Sequence, residues 1–198
     1  MREIIAILRG VTPDEALAIG EALLAEGLAQ IEVPLNSPDA LTSVELLARR
    51  FGSIAEIGAG TVLAVEEVEA VAARGGKMIV SPNADAEVIA ATRRLGLRSL
   101  PGVFTASECF AAIKAGANGL KLFPAFKLGL DGYKALAAVL PRATPCYAVG
   151  GVDAADFAAW RAAGIAGFGI GTALYRPGDT PDAVAERARK LTRAFDLM

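Results

Sequence analysis

The sequence contains no histidine, and this absence excludes several classes of active site. A Ser-His-Asp triad, an HExxH zinc site and a general base built on imidazole all require that side chain. Metal-dependent epimerases with histidine ligands are excluded for the same reason. Any proton transfer must therefore depend on a carboxylate, a lysine, a tyrosine or water.

Cysteine is scarce and long apolar runs are missing. Cys109 and Cys146 are the only two cysteines and form no CxxC motif, so neither a disulfide framework nor a thiolate metal site is indicated. No run approaches the roughly 18 uninterrupted apolar residues of a membrane helix. The apolar stretch near Met1 is too short for the core of a signal peptide. We therefore expect a cytoplasmic protein that does not bind a membrane.

Charge of one sign is not in excess either. Lysine and arginine number 20 against 22 acidic residues, a net charge of −2, and the basic residues are scattered. A nucleic-acid-binding surface needs a basic patch or stripe. No nucleic-acid partner is expected, and 198 residues fit one domain spanning residues 1–198.

The chain alternates short β-rich runs with helical stretches rich in alanine and leucine. The eight runs predicted to be strands are 4–9, 30–35, 56–62, 77–82, 98–103, 119–124, 145–151 and 167–172. Behind the sixth run we predict a loop at 125–129 and a helix at 132–140, and behind the seventh a helix at 154–163 capped by Asp153. Repeated β-then-α units imply a parallel sheet. Eight of them predict a compact α/β fold, the (β/α)₈ TIM barrel.

Two charged residues fall where a barrel interior would be. Active sites of such barrels lie at the carboxyl ends of the strands. Strand alternation turns Lys121 inward while its leucine neighbours point outward, and it turns Glu32 inward between two apolar neighbours. Burial favours the neutral, nucleophilic amine, and a buried carboxylate can shuttle protons. The alternative is a structural pair, in which Lys121 is only salt-bridged and Glu32 only balances its charge.

Other strand ends carry groups suited to anions. Arg9 ends the first strand, where its planar guanidinium can bind a carboxylate. Thr61 adds a hydroxyl after the glycine-rich residues 58–60. Gly150 and Gly151 follow the seventh strand and Gly169 and Gly171 end the eighth, at positions where barrel backbones often bind phosphate.

Six motifs occur in a fixed order: ILRG at 7–10, IEVPLNSP at 31–38, IGAGTV at 57–62, IVSPN at 79–83, LKLFP at 120–124 and VGGV at 149–152. As a set they resemble the 2-keto-3-deoxy-6-phosphogluconate (KDPG) and phosphogalactonate (KDPGal) aldolases. The resemblance covers nearly the whole chain. It implies a class I aldolase, usually homotrimeric, that uses no metal or other cofactor and acts on a phosphorylated keto acid.

The resemblance also assigns roles by position. Lys121 matches the Schiff-base lysine and Glu32 the general acid/base. The positions that match substrate-binding residues are Arg9 and Thr61 at the pyruvate end, Pro82 and Phe123 beside the imine, Val149 near the substrate's fourth carbon, and Gly151, Gly171 and Thr172 at the phosphate. Asn36 and Val149 resemble the phosphogalactonate branch, since the phosphogluconate branch typically carries arginine and threonine there.

Three alternatives stay open at this point. The same chemistry could act on the gluconate epimer, on 4-hydroxy-2-oxoglutarate or on an unphosphorylated substrate. A sugar-phosphate isomerase or epimerase could use Glu32 as base and Lys121 as electrostatic stabiliser. A barrel that binds a phosphometabolite without catalysis is the third. Pyruvate trapped on the protein by borohydride would separate the aldolases from the other two.

Overall fold

The computed structural model describes residues 2–198 and shows strands and helices in alternation. The strands are β1 (Ile4–Ile7), β2 (Gln30–Pro34), β3 (Glu56–Gly60), β4 (Met78–Val80), β5 (Arg98–Leu100), β6 (Gly102–Val103), β7 (Leu120–Leu122), β8 (Cys146–Val149) and β9 (Gly167–Ile170). The helices are α1 (Pro13–Ala25), α2 (Ala40–Phe51), α3 (Val65–Ala73), α4 (Ala86–Arg94), α5 (Ala106–Lys114), α6 (Ala125–Ala137), α7 (Phe157–Ala162) and α8 (Pro181–Asp196).

All paired strands are parallel, in the order β5-β4-β3-β2-β1-β9-β8-β7-β6. The two outermost strands of this order, β5 and β6, are separated in the chain only by Pro101 and together form the fifth strand of the barrel. The backbone continues the pairing across this break, because the Lys121 N–H donates to the Pro101 carbonyl at 2.9 Å. The predicted (β/α)₈ barrel is confirmed.

Side chains divide between two apolar layers, as strand alternation requires. Outward residues such as Ile31 and Leu120 pack between the strands and the surrounding helices. Inward residues form a separate cluster inside the barrel, made of Ile5, Ile7, Met78, Val80, Leu100, Tyr147 and Val149. The residues directly before and after Lys121 and Glu32 in their strands lie in the outer layer. The side chains of Lys121 and Glu32 therefore point into the barrel.

Two helix predictions were wrong at their starts. Helix α6 begins at Ala125, within the predicted loop, and contains one non-helical residue, Gly129 (φ 67°, ψ 173°). Glycine has a low helix propensity, so a segment that contains Gly129 is predicted to be a loop. In the structure, the chain is helical on both sides of Gly129. Helix α7 begins at Phe157 because the Asp153 carboxylate accepts from the Ala155 N–H at 2.8 Å, which stabilises a turn ahead of the helix.

A polar network closes the amino-terminal end of the barrel. Arg98 donates to Glu56 at 2.7 Å and to Glu3 at 3.1 Å, and the Tyr147 hydroxyl donates to Glu3 at 2.9 Å. Burial alone would raise the pKa of Glu3, but hydrogen bonds from Tyr147, Gln30 and Arg98 lower it. The charges on this barrel floor are therefore matched by partners.

Replacing Arg98 with alanine should lower the free energy of unfolding by about 2 kcal/mol. The reason is that Glu3 and Glu56 would stay partly buried without their cation. Arg189→Ala is the matched control, because it removes an ion pair with Glu26 in which Arg189 is half exposed, and such pairs contribute at most about 1 kcal/mol. Urea unfolding measures both. Equal losses for the two variants would contradict a stabilising role for the floor network.

Candidate active site

A cavity of about 930 Å³ opens at the carboxyl ends of the strands, which is within the usual size range of small-molecule sites. Eight of the ten predicted site residues line it: Arg9, Glu32, Lys121, Phe123, Val149, Gly151, Gly171 and Thr172. Thr61 and Pro82 do not. The mouth of the barrel thus brings together residues that are more than 160 positions apart in the sequence.

Lys121 lies in the middle of β7, and only 6% of it is exposed. Its Nζ lies 4.7 Å from the centroid of the Phe123 ring, a cation–π distance. Burial lowers the pKa of Lys121; the charge of Glu32 opposes this shift and that of Arg9 adds to it. The environment therefore favours the neutral amine, which is the nucleophilic form of lysine.

Glu32, on β2, is buried at the same mouth. Burial raises its pKa to about 7, against the opposing charges of Lys121 and Arg9. Within residues 2–198, its Oε2 atom has no hydrogen-bond partner. A carboxyl group that titrates near neutral pH and keeps an unused oxygen can both accept and donate a proton.

Arg9 follows β1 at the rim of the cavity, and residues of the loop after β2 form hydrogen bonds with this segment. Its Nη1 donates to Asn36 Oδ1 at 2.6 Å, and the N–H of Gly10 donates to Ser37 Oγ at 2.8 Å. The contact with Asn36 uses one of the five guanidinium donors. Arg9 can therefore bind an anionic group while Asn36 fixes its position.

Glycine is required at the opposite side of the mouth. Gly150 and Gly151 have φ of 93° and 68°, values that side chains rarely adopt. Gly151, Gly171 and Thr172 border the cavity together. Backbone next to these glycines can approach a ligand closely, as phosphate sites of this fold require.

Sequence reasoning missed three cations that line the same side of the cavity: Arg176, Arg187 and Lys190. Arg176 donates from Nε to the Thr172 carbonyl at 3.2 Å, and Arg187 pairs with Asp179 at 2.6 Å. The available signal was the spacing of Arg187 and Lys190 on α8, three residues apart and therefore on one face of the helix. Helical patterning places them on a common face, but only the tertiary fold shows that it borders the mouth.

Thr61 and Pro82 lie beside the mouth instead of lining it. Thr61 follows β3 with φ of 57°, a left-handed conformation that is uncommon for a residue other than glycine. The Pro82 carbonyl lies against Gly102, where a side chain would overlap it. Their predicted contacts with a substrate stay predictions.

Among residues 2–198, no three histidine, cysteine, aspartate or glutamate side chains are grouped as metal ligands would be. None of the helices in that range has the length and apolar character needed to cross a membrane.

The model of the family described as KDPG and KHG aldolase matches residues 1–182. The chain belongs to the KDPG and KHG aldolase family. It is 46% identical over 197 residues to the probable 2-dehydro-3-deoxy-6-phosphogalactonate aldolase of Rhizobium meliloti (strain 1021), covering 100% of this chain and 93% of that protein. Identity to the 2-dehydro-3-deoxy-6-phosphogalactonate aldolase of Escherichia coli (strain K12) is 45% over 192 residues, 97% and 94% of the two chains.

Solved structures of aldolases have the same fold as this chain. A structure described as native KDPGal superimposes with a TM-score of 0.97 at 44% identity, covering 98% of this chain and 94% of the other. A KDPG aldolase from Legionella pneumophila, with pyruvate captured at low pH as a covalent carbinolamine intermediate, gives a TM-score of 0.83 at 26% identity over 98% and 92% of the two chains. The resemblance of the six sequence motifs to these aldolases is confirmed.

The raised pKa of Glu32 predicts a pH-dependent stability. Its ordinary pKa is 4.5 and its folded value is about 7, so between these values the folded state holds a proton that the unfolded state has lost. Stability therefore falls as pH rises through this window. Glu32→Gln should be more stable than the parent at pH 8 by about 3 kcal/mol, and the difference should shrink toward pH 4.

Thermal or urea unfolding across pH 4–8 measures this difference. Glu66→Gln, at an exposed position of α3, is the control and should follow the parent at every pH. If the advantage of Glu32→Gln were the same at pH 4 and pH 8, burial would not be disfavouring the ionised form of Glu32.

Proposed function

We propose that this aldolase is a class I enzyme that reversibly cleaves 2-dehydro-3-deoxy-6-phospho-D-galactonate to pyruvate and D-glyceraldehyde 3-phosphate through a Schiff base on Lys121. The observation that carries the proposal is the buried amine of Lys121, held toward its neutral form in a cavity that also contains the Glu32 carboxyl group. An iminium formed on this lysine is an electron sink for carbon–carbon cleavage.

The reaction follows from these two groups. Neutral Lys121 Nζ attacks the C2 carbonyl of the keto acid, and the carbinolamine loses water to give an iminium. When the C4 hydroxyl gives up its proton, the C3–C4 electron pair moves to the iminium nitrogen and the aldehyde leaves. The resulting enamine is protonated at C3, and water then releases pyruvate and restores the amine.

Glu32 is the group that we assign to these proton transfers, directly or through a water. Its pKa of about 7 lies close to neutral pH, where a group serves well both as acid and as base. It must accept the C4 hydroxyl proton and return protons during dehydration and enamine protonation. A carboxyl group with an ordinary pKa would be a weaker donor in the second half of this cycle.

The remaining residues divide between the two ends of the substrate. We assign the substrate carboxylate to Arg9, with its guanidinium at the rim, and to Thr61. The phosphate is assigned to the backbone of Gly151, Gly171 and Thr172, where Arg176 adds a nearby positive charge. Phe123, whose ring lies against Lys121 Nζ, and Pro82 are assigned to the walls beside the imine.

The family resemblance also leads us to propose a homotrimer in the cytoplasm. Support for self-association comes from three exposed phenylalanines, Phe104, Phe110 and Phe126. An interface between subunits that covered these side chains would remove their apolar surface from water.

Trapping with pyruvate and borohydride tests the Schiff base. Reduction should add one three-carbon unit to Lys121, because the imine becomes a stable secondary amine. Lys121→Met should abolish the adduct. Lys127→Met is the matched control, since Lys127 is an exposed lysine on α6, and it should be labelled like the parent. Peptide mass spectrometry that found the label on Lys127, or on no lysine, would contradict the mechanism.

The side chain of Val149 leads to a prediction about which C4 epimer of the substrate the enzyme prefers. It ends β8, faces the barrel interior and lines the cavity. A valine offers no hydrogen bond to the C4 hydroxyl, and an apolar wall discriminates by only about 1–3 kcal/mol. We expect a preference for the galactonate epimer, measurable turnover of the gluconate epimer, and a shift toward gluconate in Val149→Thr.

The ratio of kcat/KM for the two epimers measures this preference, and borohydride trapping confirms that Val149→Thr still forms the imine. A strong preference of the parent for the gluconate epimer would overturn the substrate assignment and leave the Lys121 mechanism intact.

A further inference from the structure

Gly60, the last residue of β3, lies directly against the Glu32 carboxyl group. A Cβ atom built on Gly60 would overlap Cδ, Oε1 and Oε2 of Glu32 together. No residue other than glycine can therefore occupy this position unless the carboxyl group moves. The obstacle is the functional end of the Glu32 side chain, and no other atom is among the three nearest to that Cβ.

The pairing of the strands explains this contact. In the parallel register of β2 and β3, Glu32 is level with Gly58 and Pro34 is level with Gly60. The Glu32 side chain thus extends toward the carboxyl end of the barrel and reaches the level of Gly60 on the next strand. The backbone of Gly60 does not have a positive φ. The backbone conformation of Gly60 therefore does not require glycine. Glycine is required there because the Glu32 carboxyl group occupies the space of a Cβ atom.

Other glycines of the barrel have different neighbours. A Cβ at Gly58 would meet the backbone of Met78 on β4, so Gly58 permits close approach of strands. A Cβ at Gly169 would meet the side chains of Val149, at 2.8 Å, and Ile7, at 3.4 Å, which are the ends of aliphatic groups. Gly60 differs from both because its missing side chain makes room for an ionisable group.

We propose that Gly60 is a positioning residue, whose absent side chain lets the Glu32 carboxyl group lie against β3 inside the barrel and within reach of the reacting atoms. This inference rests on the proposed role of Glu32 as general acid/base. Gly60 is not among the residues that line the cavity. A larger residue would displace the carboxyl group toward the mouth, where it is better solvated and misaligned for proton transfer.

A double-mutant cycle tests the proposal with four proteins: the parent, Gly60→Ala, Glu32→Asp and the double variant. Aspartate is one methylene shorter, so its carboxyl group withdraws from the space that Ala would need. Gly60→Ala should lower kcat at least about tenfold in the parent, with KM little changed, as expected for a lost proton-transfer geometry. In the Glu32→Asp background it should lower kcat by less than about threefold.

Gly169→Ala is the matched control, because it also crowds the barrel interior but meets only aliphatic side chains. Its effect on kcat should be the same factor in the parent and in the Glu32→Asp background. If Gly60→Ala likewise cost the same factor in both backgrounds, Gly60 would act through strand packing alone and the proposal would be wrong.

A second double-mutant cycle, with Glu32→Ala in place of Glu32→Asp, measures Tm and does not depend on activity. Gly60→Ala should lower Tm in the parent, and the loss should be largely absent in the Glu32→Ala background, where no carboxyl group remains to collide. An equal loss of Tm in both backgrounds, or a double variant that fails to fold, would overturn the proposal. Pyruvate trapping on the unaltered protein tests the Schiff base separately from the role of Gly60. If no pyruvate were trapped, the Schiff-base mechanism would be contradicted, but the Tm values of the four proteins would still show whether Gly60 makes room for the Glu32 carboxyl group.

Discussion

The structure depends most on the removal of two ionisable groups, Lys121 and Glu32, from water into one barrel interior. Burying a charge is costly, and proteins commonly answer that cost by shifting the pKa toward the neutral form. Here burial lowers the pKa of the lysine and raises that of the glutamate. The same cost that weakens the fold supplies a nucleophilic amine and a carboxyl group poised near neutral pH, so stability and chemistry are opposed at this point.

The two ends of the barrel treat buried polarity in opposite ways. At the floor, Arg98 and Tyr147 satisfy Glu3 through several hydrogen bonds, and the pKa of that carboxyl group falls. At the mouth, Glu32 keeps an oxygen for which residues 2–198 provide no partner, and its pKa rises. Between them lies an apolar layer that includes Met78 and Leu100. Matched charges thus support the fold at one end, and unmatched groups are available to a substrate at the other.

The barrel and the inward direction of Lys121 and Glu32 could be predicted because strand alternation is a local property of the sequence. The start of α6 could not, since Gly129 suggests a loop and only the structure shows helical pieces on both sides of it. The cations of α8 and the role of Gly60 depend on neighbours distant in sequence. Gly60 in particular was visible only as one of several glycines, until the register with β2 placed the Glu32 carboxyl group against it.

The most direct test of this account is the pH dependence of imine formation itself, measured by mixing enzyme with pyruvate and quenching with borohydride at short times. The rate constant depends on the fraction of Lys121 that is neutral. An ordinary lysine has a pKa of 10.5, so the account predicts that the rate stops rising well below that pH. A rate that kept rising up to pH 10.5, as for a fully solvated amine, would show that the barrel does not favour neutral Lys121 and would contradict the central claim.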